Sequence, residues 1–232
     1  MNILKFKDKN LLNKCITSKI LSFTLGDCRT NIALMSGSTS VPIYRLLVSN
    51  LNGKKINSHF YIHNEIPLIP SDKGGLVLNH LDEYFFNPLN IEKSKIHDLN
   101  EGTYRELEEE IVLSGGLDLV LLSMGDDGHI AANYPNGNNW SGIRKSILHS
   151  DDALYSNLLK SEDVLNRITD HYFTFGLETI LKARNVIIVA YGKNKSDVLK
   201  LIDSGVVDEM IPATIMNLHP SCTIYTTDET FT

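Results

Sequence analysis

The segment Leu117-Asp118-Leu119-Val120-Leu121-Leu122-Ser123-Met124-Gly125-Asp126-Asp127-Gly128-His129 constrains the fold more than any other stretch of the chain. An apolar run bounded by turn residues predicts a strand over 117–123 that is buried on both faces, as in parallel sheets covered by helices. The run then breaks into two carboxylates bracketed by glycines and followed by a histidine. Open α/β sheets hold their ligands just beyond the carboxyl ends of such strands. Asp127 and His129 therefore stand where a proton-transfer pair would be useful, and the glycines let the backbone turn sharply beside them. Taken alone, the same spacing also fits an ordinary strand-to-loop turn with solvated acids.

The remaining pattern alternates. Leu11, Leu12, Cys15, Ile16, Ile20 and Leu21 recur at helical spacing and predict a helix over 10–24. A short strand at 31–35 enters Ser36-Gly37-Ser38-Thr39, and a helix is expected over 41–48. A second strand covers 59–63, and helices are expected near 76–87 and 102–114. Residues 132–145, rich in asparagine, proline and glycine, read as loop. A helix near 176–183, a strand at 185–190, a helix from Lys195, a short segment at 212–218 and a last strand at 223–225 complete the chain. Strands alternating with helices place it in the α/β class with a mainly parallel sheet. With no repeat and no low-complexity linker, the expected organisation is one domain over 1–232.

Charge narrows the partners. The net charge is −6 with no long basic block, which argues against nucleic acid or an anionic membrane. An anionic ligand would have to be held by local groups. Cys15, Cys28 and Cys222 are scattered and odd in number, which suits buried thiols in a reducing compartment. His59, His80, His97, His149 and His171 show no paired spacing, so zinc is not expected. The N-terminus lacks signal-peptide features, and nowhere do eighteen apolar residues run together. A cytoplasmic location is expected.

Two loops look suited to an anion. In Ser36-Gly37-Ser38-Thr39, hydroxyls and backbone N–H groups meet the start of a helix, which fits a phosphate and equally fits a serine-rich turn with an N-cap. The pattern is neither of the nucleotide-binding glycine motifs, so no nucleotide cofactor is implied. In Tyr191-Gly192-Lys193-Asn194-Lys195, Lys195 falls near a first helical turn, where a cation opposes the helix dipole and a bound phosphate would relieve the conflict. An ordinary surface lysine fits the same spacing. His63 and His219 read as structural histidines, the first half-buried.

These landmarks, with Asn64-Glu65 and Pro212-Ala213-Thr214 through Leu218-His219-Pro220, occur in the order found in glucosamine-6-phosphate deaminases. The related 6-phosphogluconolactonases share Ser36 to Thr39, Asn64-Glu65, Gly125 to His129 and Gly192 to Lys195. The chain resembles this family over about residues 10–228. The resemblance implies a three-layer αβα fold with a Rossmann-like sheet, a phosphorylated sugar as ligand and no cofactor for the core reaction. The chain is also compatible with a homo-oligomer. It further implies that Ser36, Gly37, Ser38, Thr39 and Lys195 hold the phosphate, with Arg167 as a further contact. Asp127 and His129 resemble the pair that moves a proton between the anomeric and ring oxygens.

Two positions depart from the deaminase pattern. Asn64 stands where deaminases carry an aspartate that takes the carbon-2 proton, and an amide has no basic lone pair for that task. Tyr134 stands where they carry a glutamate, and lactonases usually carry an aromatic near there. The leading expectation is an enzyme of aldose–ketose isomerisation, with or without loss of ammonia. The alternatives are hydrolysis of a sugar-acid lactone phosphate, which needs one base, and a non-catalytic phosphosugar-binding protein.

Overall fold

The computed structural model describes every residue except 71–73, 136, 138, 149–166 and 232. The first half runs β1 (Asn2–Phe6), α1 (Lys9–Thr24), β2 (Asn31–Leu34), α2 (Val41–Leu51), β3 (His59–Ile62), β4 (Asn64–Glu65), α3 (Leu76–Leu81) and β5 (Ile96–His97). It continues with α4 (Leu107–Leu113), β6 (Leu119–Ser123), β7 (Arg144–Ile147), β8 (His171–Thr174), α5 (Leu177–Leu181), β9 (Val186–Val189), α6 (Ser196–Asp203) and β10 (Cys222–Thr227).

Seven strands form one parallel sheet in the order β1-β10-β9-β6-β2-β3-β5, flanked by helices as the αβα expectation requires. Its centre is apolar on both faces: every residue of β2 and β9 is buried, as are Leu119 to Leu122 of β6. Helix α1 starts at Asp8, whose carboxylate accepts the Leu11 N–H at 2.9 Å, and it buries Leu12, Ile16 and Ile20 on one stripe. Pro42 sits in the first turn of α2, where its missing N–H costs nothing. The Tyr44 hydroxyl donates to the Met35 carbonyl and ties α2 to the end of β2.

Four features differ from the sequence expectations. Strand β1 leaves no sequence signal, because Asn2–Phe6 is a short terminal stretch interrupted by Lys5 and gains its structure by pairing with β10. Two-residue β4 and β5 are too short to leave a periodic trace. A second, antiparallel sheet of order β4-β8-β7 takes in Arg144 and Lys145 from the expected loop 132–145. The helix expected from 102 begins at Leu107, because Asn100 Oδ1 accepts the Gly102 N–H at 2.8 Å and Thr103 Oγ1 donates to the Asp98 carbonyl at 2.8 Å. Those local bonds hold 101–106 as turns instead.

The winding of the large sheet reverses between β2 and β6. From β2 the chain proceeds to β3 and β5 on one side, and from β6 to β9 and β10 on the other. The two central strands pair only at Ile32–Leu119 and Ala33–Val120, then separate. The Leu121 carbonyl is taken instead by His63 Nε2 at 3.1 Å. That separation opens a crevice at the carboxyl end of the sheet, where ligands of such folds bind.

Candidate active site

A cavity of about 530 Å³ occupies this crevice. Its walls come from the ends of three neighbouring strands: Thr39 after β2, Ser123 to Asp127 and His129 from β6 and its loop, and Val189, Tyr191 and Lys195 from β9 and the turn beyond it.

Backbone bonds close the loop after β6 on itself. The Gly125 N–H donates to the His129 carbonyl at 2.8 Å and the Gly128 N–H to the Gly125 carbonyl at 3.2 Å. Gly128 adopts φ +84°, and a Cβ there would also lie 2.5 Å from Ile211 Cγ2, so the turn needs glycine twice over. At Gly125 the reason is purely spatial. A Cβ would sit 2.1 Å from His129 Nδ1 and 2.6 Å from Asp127 Oδ1.

The space kept clear by Gly125 is used by the predicted pair. Asp127 Oδ1 accepts from His129 Nδ1 at 2.7 Å and from the His129 backbone N–H at 3.1 Å. Burial pushes the Asp127 carboxyl up, but the bonds and charge of His129 outweigh it and hold the group below the usual carboxylate range. A charged Asp127 therefore fixes the tautomer with the proton on Nδ1 and leaves Nε2 to act as a base.

Lys195 ends a single tight turn, Lys193–Lys195, directly before α6. The conflict with the helix dipole is met from within the chain. Lys195 Nζ donates to the Asp126 carboxylate, and both residues line the cavity. Burial pushes Asp126 up as well, but hydrogen bonds from Lys195 and Asn194 hold it below the ordinary aspartate value.

The structure brings Thr39, Asp127, His129 and Lys195 together around one cavity. Ser36, Gly37 and Ser38 form the turn leading to Thr39, with Gly37 at φ +96° and its carbonyl accepting the Ser40 N–H at 3.0 Å. They do not line the cavity. Tyr134 reaches the site through its ring, tilted against the His129 imidazole with centroids 4.8 Å apart. Asn64 sits half-buried on β4, one residue beyond His63, in register with Thr174 and outside the cavity lining. Arg167 is exposed, outside the lining and next to residues beyond the description, and its carbonyl accepts the Ile69 N–H at 2.6 Å.

Both histidines read as structural serve packing. His219 is buried, with Nε2 donating to the Ala183 carbonyl at 2.8 Å and Nδ1 accepting the Ser221 N–H at 3.0 Å. His63 is fully buried rather than half-buried, and that burial lowers its pKa to about 4, so it is neutral. Two contributors had no assigned role in the sequence: Asp126, whose partner lies 69 residues away, and Tyr191. Among the described residues no three His, Cys, Asp or Glu side chains gather to hold a metal, and no helix is long and apolar enough to cross a membrane.

A family model described as glucosamine-6-phosphate isomerases/6-phosphogluconolactonase matches residues 10–225. A glucosamine-6-phosphate deaminase from Thermoanaerobacter pseudethanolicus is 31% identical over 210 residues, covering 84% of this chain and 80% of that protein. One from Clostridium novyi is 28% identical over 239 residues, covering 97% and 96%. Among solved structures, a monomeric glucosamine-6-phosphate deaminase superposes with a TM-score of 0.85 at 22% identity, covering 99% of this chain and 98% of its own. A 6-phosphogluconolactonase from Trypanosoma cruzi gives 0.77 at 19% identity, covering 99% and 95%. At those identities the superpositions establish the shared fold.

Proposed function

The chain belongs to the glucosamine-6-phosphate isomerase/6-phosphogluconolactonase family, and from that premise we propose that it is an enzyme of sugar 6-phosphates. The reaction is aldose–ketose isomerisation, with loss of ammonia where carbon 2 carries an amine. The observation that carries the reading is the Asp127–His129 pair, bonded at 2.7 Å in the same cavity as Lys195.

In this reading Lys195 and Thr39, the residue of the 36–39 turn that lines the cavity, hold the phosphate, which points the sugar ring at His129. Nε2 accepts the proton of the anomeric hydroxyl as the ring bond breaks and delivers it to the ring oxygen. The charged Asp127 stabilises the imidazolium that forms between those two events. Isomerisation then needs a base at carbon 2, and where the family pattern carries that base this chain has Asn64, an amide outside the cavity lining. A water or a substrate amine must take that proton, so turnover on glucosamine 6-phosphate is slow.

The Tyr134 ring against His129 favours a second reading, hydrolysis of a lactone phosphate. There His129 Nε2 needs only to activate one water at the lactone carbonyl.

The test is a panel on the purified chain: ammonia and ketose from glucosamine 6-phosphate, acid from 6-phosphogluconolactone, and thermal shift with each ligand. A ligand at about 100 times its dissociation constant adds about 2.7 kcal/mol of stability. Ketose formation supports the leading reading, acid release supports the second, and a thermal shift with neither product leaves a binding protein. No shift and no product with either sugar refutes all three.

A further inference from the structure

The cavity meets an incoming phosphate with a mismatch of charge. Among the described residues that line it, Lys195 is the one lysine or arginine, while Asp126 and Asp127 are both carboxylates. Lys195 is already spoken for: its Nζ donates to Asp126, and the Asn194 side chain bonds to the same carboxylate. Asp126 thus occupies the position that an anionic ligand of the Lys193–Lys195 turn would take.

The two partners differ in their access to water. The Lys195 side chain is 15% exposed and Asp126 is 62% exposed. The lysine cannot recover its hydration by turning outward, whereas the aspartate can at small cost. Exchange of one anion for another at a fixed cation is therefore the low-cost route, with Asp126 leaving into solvent.

We infer that Asp126 is a built-in competitor of the substrate phosphate, an internal anion that holds Lys195 in the empty site and must be displaced before the phosphate is bound. The inference rests on the reading of Lys195 as the phosphate-holding cation. It sets affinity by charge: a dianionic phosphate displaces one carboxylate, a singly charged carboxylate ligand competes with it on level terms, and a neutral sugar leaves it in place.

The experiment compares wild type with Asp126→Asn and Asp126→Ala, using inorganic phosphate, glucosamine 6-phosphate and unphosphorylated glucose, a neutral sugar, in calorimetry near neutral pH. Asp126 is exposed, and asparagine keeps its shape, so folding is not at stake. The expected result is roughly two- to fivefold tighter binding of both phosphorylated ligands by both variants, with glucose unchanged. KM on the turned-over sugar phosphate should fall by the same factor while kcat stays within about twofold. A merely structural role for Asp126 would not split KM from kcat or spare the neutral sugar. Unchanged affinity in the variants, with wild type binding phosphate, overturns the competitor and leaves the phosphate reading standing. Weaker binding in both variants also overturns it and makes Asp126 a positioning residue for Lys195. Failure of all three proteins to bind any phosphate overturns the phosphate reading itself, and the competitor with it.

Discussion

Replacing Gly125 with alanine puts one methyl group where the proton-transfer pair now lies. Gly125 has no positive φ, so the backbone accepts the change and the whole cost is spatial. The added Cβ would stand 2.1 Å from His129 Nδ1, and ordinary contact begins near 3.4 Å, so the imidazole must retreat by about 1.3 Å. Asp127 Oδ1, 2.6 Å from the same point, must move as well, and their 2.7 Å bond is strained or lost. Crowding of this kind costs roughly 1–3 kcal/mol, a fall in Tm of about 2–12 °C for a chain of this length. Turnover should suffer far more. A misplacement of about 1 Å in reacting groups removes on the order of 10²-fold. Phosphate affinity should stay within about twofold, because Lys195 is untouched. The assay is kcat on whichever sugar phosphate the wild type converts, with phosphate binding and a thermal melt in parallel. Turnover retained within about threefold would show that the Asp127–His129 geometry is not what the reaction uses.

His129→Ala should remove about 10²–10⁴-fold of turnover and leave phosphate binding intact. Activity within a factor of two of wild type would take His129 out of the proton path. Lys195→Ala should weaken phosphate binding about ten- to a hundredfold, the worth of a charge-assisted bond of roughly 1.5–3 kcal/mol, as read by calorimetry. Asn64→Asp should raise ammonia or ketose formation at least about tenfold at similar substrate affinity, and brisk wild-type deamination indifferent to the change would count against the assignment. Glu65 supplies a pH dependence: burial raises its pKa from 4.5 to about 7, against the pull of three backbone N–H bonds. The native state then holds a proton that the unfolded chain has released, so stability falls as pH rises from about 4.5 to about 7, by about 3 kcal/mol in all. Denaturant unfolding at pH 5 and 8 should show that fall in wild type and a flatter profile in Glu65→Gln, and equal profiles would mean that Glu65 ionises normally.

The central layer was legible because its signals are local. Leu119 to Leu122 had to be a doubly covered strand, and the glycines after it had to turn, whatever the partners were. The Asp127–His129 bond spans two residues, so spacing alone suggested it. Pairing across long separations was not legible. Nothing within Asn2–Phe6 announces its partner at Cys222–Thr227, and Arg144–Ile147 reads as loop until β8 is beside it. Lys195 shows the same limit within the site. The sequence exposed its conflict with the helix dipole, but the relief from Asp126 depends on β6 and β9 being neighbours.

The division between the two sheets also locates the choice between reactions. The large sheet carries Asp127, His129 and Lys195, to which the proposed reading assigns the phosphate and the proton moved at an oxygen. Isomerisation and lactone hydrolysis both need that much. Asn64 and Tyr134, where the deaminase pattern is broken, hang on the small sheet instead. Asn64 lies in β4 opposite Thr174 of β8, and the Thr174 hydroxyl accepts the Ala132 N–H at 3.1 Å, which anchors the loop bearing Tyr134 to the same strand. Tyr172 of β8 then meets the Tyr134 ring edge-on with centroids 6.4 Å apart. One antiparallel unit thus positions both departures. A change at Asn64 leaves the Asp127–His129 pair and Lys195 untouched, whereas a change at Tyr134 alters the ring packed on His129. On the proposed isomerase reading, Asn64→Asp supplies a base without a second carboxylate beside His129, so the expected gain is partial while Tyr134 remains.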